Sequence, residues 1–258
     1  MNDGIIQLSL GRFALIYLLL LAVLYVMKKC HINQSKLVIV ASLRMTLQLF
    51  MTGLVLTYIF ENPHPLFTLL YLGAMTVFSI RIALGKQKWL NPKFRRIVSI
   101  SLALAGWAVM TFYLIFVVGV SIFNPQYAIP ITGMIMGNAV SGVTVGLKTL
   151  NDNIKSERQR IDTLINMGVH PAKAMLPIVN KSIETATLPT VVSMLSMGII
   201  SLPGMMTGQI LSGTLPLTAI LYQISIIIAI TAVTFIAVFA SLYLGYRTLY
   251  NERQQLTI

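Results

Sequence analysis

The chain has 258 residues, of which 56% are hydrophobic and 10% are charged, and its mean hydropathy is +0.81. This composition excludes an ordinary soluble domain, in which charged residues make up about a quarter of the chain. The formal net charge of +12 is explained by basic loops that face anionic lipid, so no nucleic-acid partner is expected. The sequence therefore predicts an all-α integral membrane protein.

Seven apolar segments are long enough to cross a bilayer, because about 20 helical residues span its hydrocarbon core. Their apolar runs are continuous and lack the alternation of membrane β-strands, which favours helices. The predicted spans are Ile5–Met27, Leu37–Phe60, Leu66–Leu84, Ile97–Val120, Ile129–Leu147, Leu188–Leu211 and Leu215–Tyr246. Together they predict a single transmembrane domain over residues 1–258.

The charges between these segments predict the orientation of the chain. Lysines and arginines occupy the connections after spans 1, 3 and 5 and the tail after span 7, whereas residues 61–65, 121–128 and 212–214 contain none. Short cytoplasmic loops carry the excess of basic residues, so we expect an outside N-terminus and a cytoplasmic C-terminus. The first span lacks a small-residue cleavage site and is expected to remain as an anchor. The expected location is the plasma membrane, which is the inner membrane in a bacterium.

The acidic residues and histidines all lie outside the predicted spans. Proton-coupled carriers and intramembrane proteases need ionisable or metal-binding residues within the membrane, so both classes are disfavoured. The glycine-rich stretch 133–149 lacks a lysine in the register with which a P-loop binds phosphate. We therefore predict no catalytic residues, no enzyme activity and no cofactor bound by this chain. An autonomous channel or a sodium-coupled carrier that uses hydroxyl and carbonyl ligands stays open.

A charged block, residues 148–187, separates spans 5 and 6. Apolar residues recur with helical spacing from Leu150 to Ile165. Gly168 is expected to cap this helix and Pro171 to begin another, since glycine favours the C-terminal cap and proline the first helical turn. The block is predicted to be a cytoplasmic helical hairpin. It could contact a partner protein or lie on the lipid headgroups, and the sequence alone leaves both open.

Several polar or helix-breaking residues lie within the predicted spans. Arg44 and Gln48 share one face of span 2, although Arg44 is near enough to the membrane surface to reach the headgroups. Asn138 needs a polar partner in hydrocarbon, supplied by a neighbouring helix or by a pathway. Pro203 and Gly204 are expected to interrupt span 6. The candidate pathway or gate residues are Arg44, Gln48, Met134, Asn138, Pro203, Gly204, Met205 and Met206.

Glycines repeat at intervals of four in the same region, at positions 133 and 137, 142 and 146, and 204 and 208. Small residues at this spacing allow close helix packing, which is the favoured interpretation. The nearby methionine thioethers are soft ligands suited to Cu(I), and methionine is also an ordinary packing residue. The metal-binding residues, if any, are therefore left unassigned.

Three motifs carry a resemblance to a known family. They are Arg44-x-x-x-Gln48-Leu49-x-x-x-Gly53, Ile129-Pro130-Ile131-x-Gly133-Met134-Ile135-x-Gly137-Asn138-Ala139, and Ser201-Leu202-Pro203-Gly204-Met205-Met206-x-Gly208. From about Leu37 onward the chain resembles the FetB-type permeases of ATP-binding-cassette (ABC) transporters, described as iron exporters and related to plant aluminium-tolerance permeases. The resemblance implies a homodimeric permease that exports iron or another metal. It also implies a separate cassette ATPase that binds ATP and magnesium.

A looser resemblance concerns the loop through which many importer permeases contact their ATPase. That loop reads Glu-Ala-Ala, three residues, Gly, nine residues, Ile and then Leu-Pro. Asp162, Gly168 and Ile178 match its spacing, whereas the alanines and the Leu-Pro pair are missing. By this resemblance, the ATPase-coupling residues are Glu157, Asp162, Gly168, Val169, His170, Pro171 and Ile178.

Overall fold

The computed structural model describes residues 9–85 and 87–250, and within these ranges the regular structure is helical apart from one isolated bridge. The predicted all-α membrane fold is confirmed. A π-helical turn, Tyr113–Val118, extends the fourth helix, and a 3-10 turn, Tyr246–Thr248, follows the last. The α-helices are α1 (Leu10–Lys29), α2 (Ser35–Glu61), α3 (Pro65–Gly85), α4 (Pro92–Phe112), α5 (Pro125–Ser156), α6 (Arg158–Asn166), α7 (Pro171–Ser196), α8 (Gly204–Leu211) and α9 (Pro216–Gly245).

Six helical segments among the described residues are long and apolar enough to cross a membrane. The predicted span Leu188–Leu211 is not one of them, because it does not form one continuous helix. Helix α7 ends at Ser196, and α8 begins at Gly204 after a short non-helical loop. Gly198 adopts a left-handed φ of +84° in this loop. The loop ends at Pro203, which confirms the predicted interruption before Gly204.

The charged block also differs from the predicted hairpin. Helix α5 continues past the expected membrane boundary at Leu147 and ends only at Ser156. The first arm of the block is therefore largely the end of α5, followed by the short helix α6. Its apolar stripe is confirmed, since Leu150, Ile154 and Ile161 are buried. The second arm forms the start of α7, which packs against α5 and α6.

Helices α5 and α9 form the centre of the bundle. Helix α5 contacts α3, α4, α7 and α9, and α9 also packs along α4. Glycines make the closest approaches possible: a Cβ at Gly142 would lie 2.7 Å from Cγ2 of Thr234, and one at Gly146 would lie 3.2 Å from Cβ of Ala186. The packing interpretation therefore holds for these glycines. A Cβ at Gly137, Gly204 or Gly208 would meet no described atom within 4 Å.

Helices α1 and α2 lie at the periphery. They contact each other, joined by a hydrogen bond between the hydroxyls of Tyr17 and Thr46. In each of these helices, the apolar stretch of 18 residues that could span a membrane has no buried residue. In the corresponding stretch of α5, 56% of the residues are buried. The compact part of the described structure is therefore built by α3 to α9.

Candidate functional site

The turn between α6 and α7 has the geometry that the sequence predicts. Gly168 has φ +88°, and its N–H donates to the carbonyl of Ile165 over 2.9 Å. Val169 N–H donates to the carbonyl of Leu164 over 3.0 Å. Such bonds satisfy carbonyls at the end of α6, and only glycine adopts this φ without strain. Gly168 is therefore the C-terminal cap of α6. We refer to residues 167–171 as the coupling turn.

Helix α7 starts from a cap that the sequence did not reveal. His170 is the residue before the helix, and its Nδ1 accepts a 3.2 Å hydrogen bond from the N–H of Ala172. Pro171 follows at the first helical position, where its missing N–H leaves no bond unmade. Gly168 and His170 are exposed, whereas Pro171 and Ile178 are buried. Gly168 and His170 of the coupling turn, but not Pro171 or Ile178, are thus accessible to a partner.

Of the two acidic residues predicted near this turn, Asp162 lies in α6 and Glu157 is the residue that precedes it. Glu157 forms an ion pair with Arg160 at 2.8 Å, and Asp162 forms one with Arg158 at 3.8 Å. Both pairs join residues three or four apart on the helix surface, and exposed pairs of this kind contribute only a few tenths of a kcal/mol. Their visible role is local support of α6.

Hydrogen bonds join the coupling turn to the end of α9 and the start of α4. The hydroxyl of Tyr250 donates to the carbonyl of Pro171 over 3.2 Å, and Nδ2 of Asn91 donates to the carbonyl of Thr248 over 2.6 Å. Oδ1 of Asn91 also caps α4 by accepting from Phe94 N–H at 2.7 Å. Burial raises the pKa of the Tyr250 hydroxyl, which keeps it protonated as a donor. We call the region around Asn91, Pro171, Thr248 and Tyr250, where α4 and α7 begin and α9 ends, the braced end.

A cleft of about 220 Å³ lies between α5, α7 and α9. It contains the predicted residue Asn138. Nδ2 of Asn138 donates to the carbonyl of Met134, and Oγ of Ser141 donates to that of Gly137, each over 2.9 Å. The side-chain oxygens of both residues keep free lone pairs that can accept hydrogen bonds. The lining residues are Asn138, Ser141, Gly142, Val145, Ala186, Pro189, Thr190, Ser193, Ile227 and Ile230.

Two methionines near the loop after α7 make polar contacts. Sδ of Met194 lies 3.2 Å from the hydroxyl of Thr231, which also donates to the carbonyl of Ile227 over 2.7 Å, and Sδ of Met197 lies 3.7 Å from Nε2 of Gln223. Gln223 is 7% exposed, and its Oε1 has no partner within the described chain. These two methionines are not among the predicted pathway residues, since nothing in the sequence indicates which thioethers face polar groups of α9.

The described residues offer few clusters of the side chains that usually bind metal ions. Residues 9–85 and 87–250 contain no group of three or more His, Cys, Asp or Glu that could hold a metal ion. Met134, Met205 and Met206 are half-buried, and Met134 and Met205 pack against the hydrophobic core. Packing therefore accounts for Met134 and Met205.

The family model for UPF0014, described as an uncharacterised protein family, matches residues 10–250. The chain belongs to the UPF0014 family. It is 34% identical over 215 residues to the "Probable iron export permease protein FetB" of Escherichia coli, covering 83% of this chain and 82% of that protein. It is 32% identical to "Protein ALUMINUM SENSITIVE 3" of Arabidopsis thaliana, covering 83% and 77% of the two chains. No solved structure matches it.

A further plant relative is the "UPF0014 membrane protein STAR2" of rice, with 32% identity over 84% of this chain and 75% of that protein. The family resemblance drawn from the three sequence motifs is thus confirmed. Together with the apolar helices, it identifies this UPF0014 chain as a multi-pass membrane protein.

The predicted pathway residues of this UPF0014 protein do not form one cluster. Asn138 lines the cleft between α5 and α7. Arg44 and Gln48 are exposed on the peripheral helix α2, and their side chains form no ion pair or hydrogen bond with the rest of the described chain. Pro203 and Gly204 begin α8, which packs against α9. Sequence reasoning missed Thr190 and Ser193, whose opposition to Asn138 depends on the path of α7.

Proposed function

We propose that this UPF0014 protein is the permease subunit of an ABC transporter that works with a separate cassette ATPase. The observation that supports this most is the course of α5 and α7. Both helices line the cleft; α7 begins at the coupling turn, and α5 packs against α7 and is followed by α6, which leads into the turn. A partner bound to the turn therefore contacts the start of α7 directly, and α7 packs against α5, the other of these two cleft helices. ATP and magnesium belong to that partner.

A second copy of the chain is the proposed companion within the membrane. Gly137, Asn138 and Ser141 are exposed on one face of α5. Amide and hydroxyl groups are costly to leave against lipid, and small residues favour close helix contact. A homodimer that covers this face would enclose the cleft between the two copies. The permease is placed in the plasma membrane with the braced end in the cytoplasm, as the positive-inside rule predicts.

The proposed cargo is a small solute containing iron or another metal, and the proposed direction is export. FetB is named for iron export, and the oxygen atoms of Asn138, Ser141, Thr190 and Ser193 suit a hydrated or chelated cation better than a bare one. Bare iron prefers charged ligands, which the cleft does not contain among the described residues. A metal ion that keeps its water or chelator ligands requires only hydrogen bonds from the side chains that line the cleft.

Reconstitution tests the proposed function directly. The chain is placed in liposomes with and without a candidate cassette ATPase from the same organism, and movement of Fe(II)-citrate is followed with ATP or a non-hydrolysable analogue. We expect flux only when the ATPase and hydrolysable ATP are both present. Equal flux from the chain alone, without nucleotide, would instead support an autonomous channel or a sodium-coupled carrier. A sodium gradient then separates those alternatives.

The substitution Asn138→Ala tests the cleft as the pathway. We expect it to lower ATP-dependent flux about tenfold, which corresponds to the loss of one well-placed hydrogen bond to the cargo. Stability is expected to change little, because the side-chain amide of Asn138 bonds within its own helix. Ser99→Ala is the control, since Ser99 makes the same kind of bond on α4 to the carbonyl of Arg95. Equal flux in the two variants would exclude Asn138 from the pathway.

A further inference from the structure

The residues that follow α9 form a pocket with the first residues of α7. Its volume is about 330 Å³, and its walls are His170, Pro171, Ala172, Arg247 and Tyr250. His170 lies two residues after the capping residue Gly168. The pocket is therefore continuous with the coupling turn, and its far wall comes from a part of the chain nearly eighty residues away in sequence.

Hydrogen bonds fix the two walls relative to each other before any partner binds. Tyr250 donates from its hydroxyl to the carbonyl of Pro171 over 3.2 Å. The carbonyl of Thr248 accepts from Asn91 at 2.6 Å, and Leu249 between them is 1% exposed. A side chain that enters this pocket does not have to order residues 247–250 first, which lowers the entropic cost of binding.

The pocket has a positive rim. Arg247 is exposed, and its guanidinium carbon lies 5.2 Å from the centre of the Tyr243 ring. The ion pairs found among the described residues both lie in and beside α6, so none of the described carboxylates neutralises Arg247. Lys173, in the first turn of α7, is exposed as well. A carboxylate is the group that complements such a rim.

We infer that this pocket is the second half of the ATPase-docking surface and receives an acidic side chain of the cassette ATPase. The inference rests on the proposed function, and it adds Arg247 and Tyr250 to the coupling turn. Arg247 pairs with the acidic side chain, and Tyr250 positions the pocket wall against Pro171. The partner is thus bound both by the coupling turn and by the residues after α9. These two parts are far apart in sequence, and the hydrogen bond from Tyr250 to Pro171 joins them.

The test measures the affinity of the cassette ATPase used in the reconstitution for the chain in nanodiscs of uncharged phosphatidylcholine. We expect Arg247→Glu to weaken binding about tenfold at low salt, with a smaller loss at high salt, as for an exposed charge pair. Tyr250→Phe keeps the ring and removes the hydroxyl, and it is expected to weaken binding about threefold. Arg247→Gln replaces the glutamate variant if the latter does not fold.

Lys29→Glu is the matched control, because it reverses one charge at the end of α1, which contacts α2 rather than α7 or α9. It is expected to bind the ATPase as the natural chain does. Unchanged affinity of Arg247→Glu would overturn the inference while leaving the proposed function intact. Failure of the natural chain to bind the ATPase would instead contradict the proposed function itself. A change confined to nanodiscs that contain phosphatidylglycerol would assign Arg247 to lipid and also overturn the inference.

Discussion

Gly168→Val is expected to reduce ATPase binding and ATP-dependent flux at least about tenfold. Gly168 has φ +88°, a conformation that costs an ordinary L-residue about 1–2 kcal/mol and a β-branched residue more. The space around it is open, since an added Cβ would meet no described atom within 4 Å. The effect therefore arises from the backbone. Relief of the strain changes the direction in which the chain leaves α6, and this displaces Val169 and His170.

Gly213→Val provides the matched control for this experiment. Gly213 has φ +94° and equally open surroundings, but it lies in the connection between α8 and α9, away from the braced end. It carries the same backbone strain and is expected to leave ATPase affinity unchanged. ATPase titration against both variants in nanodiscs gives the comparison. Equal affinities of Gly168→Val and the natural chain, with equal coupled hydrolysis, would remove the coupling turn from the docking surface.

Gly142→Leu is expected to destabilise the bundle by about 3 kcal/mol, near the upper end of the usual cost of overpacking. Its Cβ would lie 2.7 Å from Cγ2 of Thr234 and 3.1 Å from Cγ2 of Val238. Both neighbours are fully buried, and they belong to α9, the helix that packs most closely along α5 and α4. The added side chain has to push α5 away from α9. Thermal unfolding in detergent, followed by circular dichroism, measures the loss.

Gly53→Leu controls for the chemical change in the same assay. Gly53 lies on α2 and is exposed, and a Cβ added there would meet no described atom within 4 Å. We expect its unfolding free energy to stay within about 0.5 kcal/mol of that of the natural chain. A similar loss in both variants would show that the close contact at Gly142 is not what holds α5 to α9.

The sequence predicts the parts of this fold that depend on local chemistry. Long apolar runs predict helices because unpaired backbone groups are excluded from hydrocarbon, and six of the predicted spans correspond to α1, α2, α3, α4, α5 and α9. Gly168 is found at the end of α6, where a positive φ favours glycine. Pro171 is found at the first position of α7, where a backbone N–H has no partner within the helix.

Features that depend on several helices were beyond the sequence. Pro203 and Gly204 indicate the interruption itself, but hydropathy does not show that it begins after Ser196, because a loop containing Ile, Leu and Met is as apolar as a helix. The bond between Tyr250 and Pro171 and the opposition of Thr190 to Asn138 join segments far apart in the chain. Such contacts depend on how α5, α7 and α9 pack together, and residue spacing within one helix does not predict them.

Two of the three helices that line the cleft, α5 and α7, differ in mechanical stiffness. Helix α5 has 32 residues and a length of about 48 Å, and its only internal proline, Pro130, precedes Asn138. Helix α7 contains Pro177, near the coupling turn, and Pro189, which lines the cleft. Each proline removes one backbone hydrogen bond and makes bending easier. Under a load applied at the coupling turn, α5 is expected to tilt as a rod while α7 flexes at its prolines, so that the cleft widens from one wall.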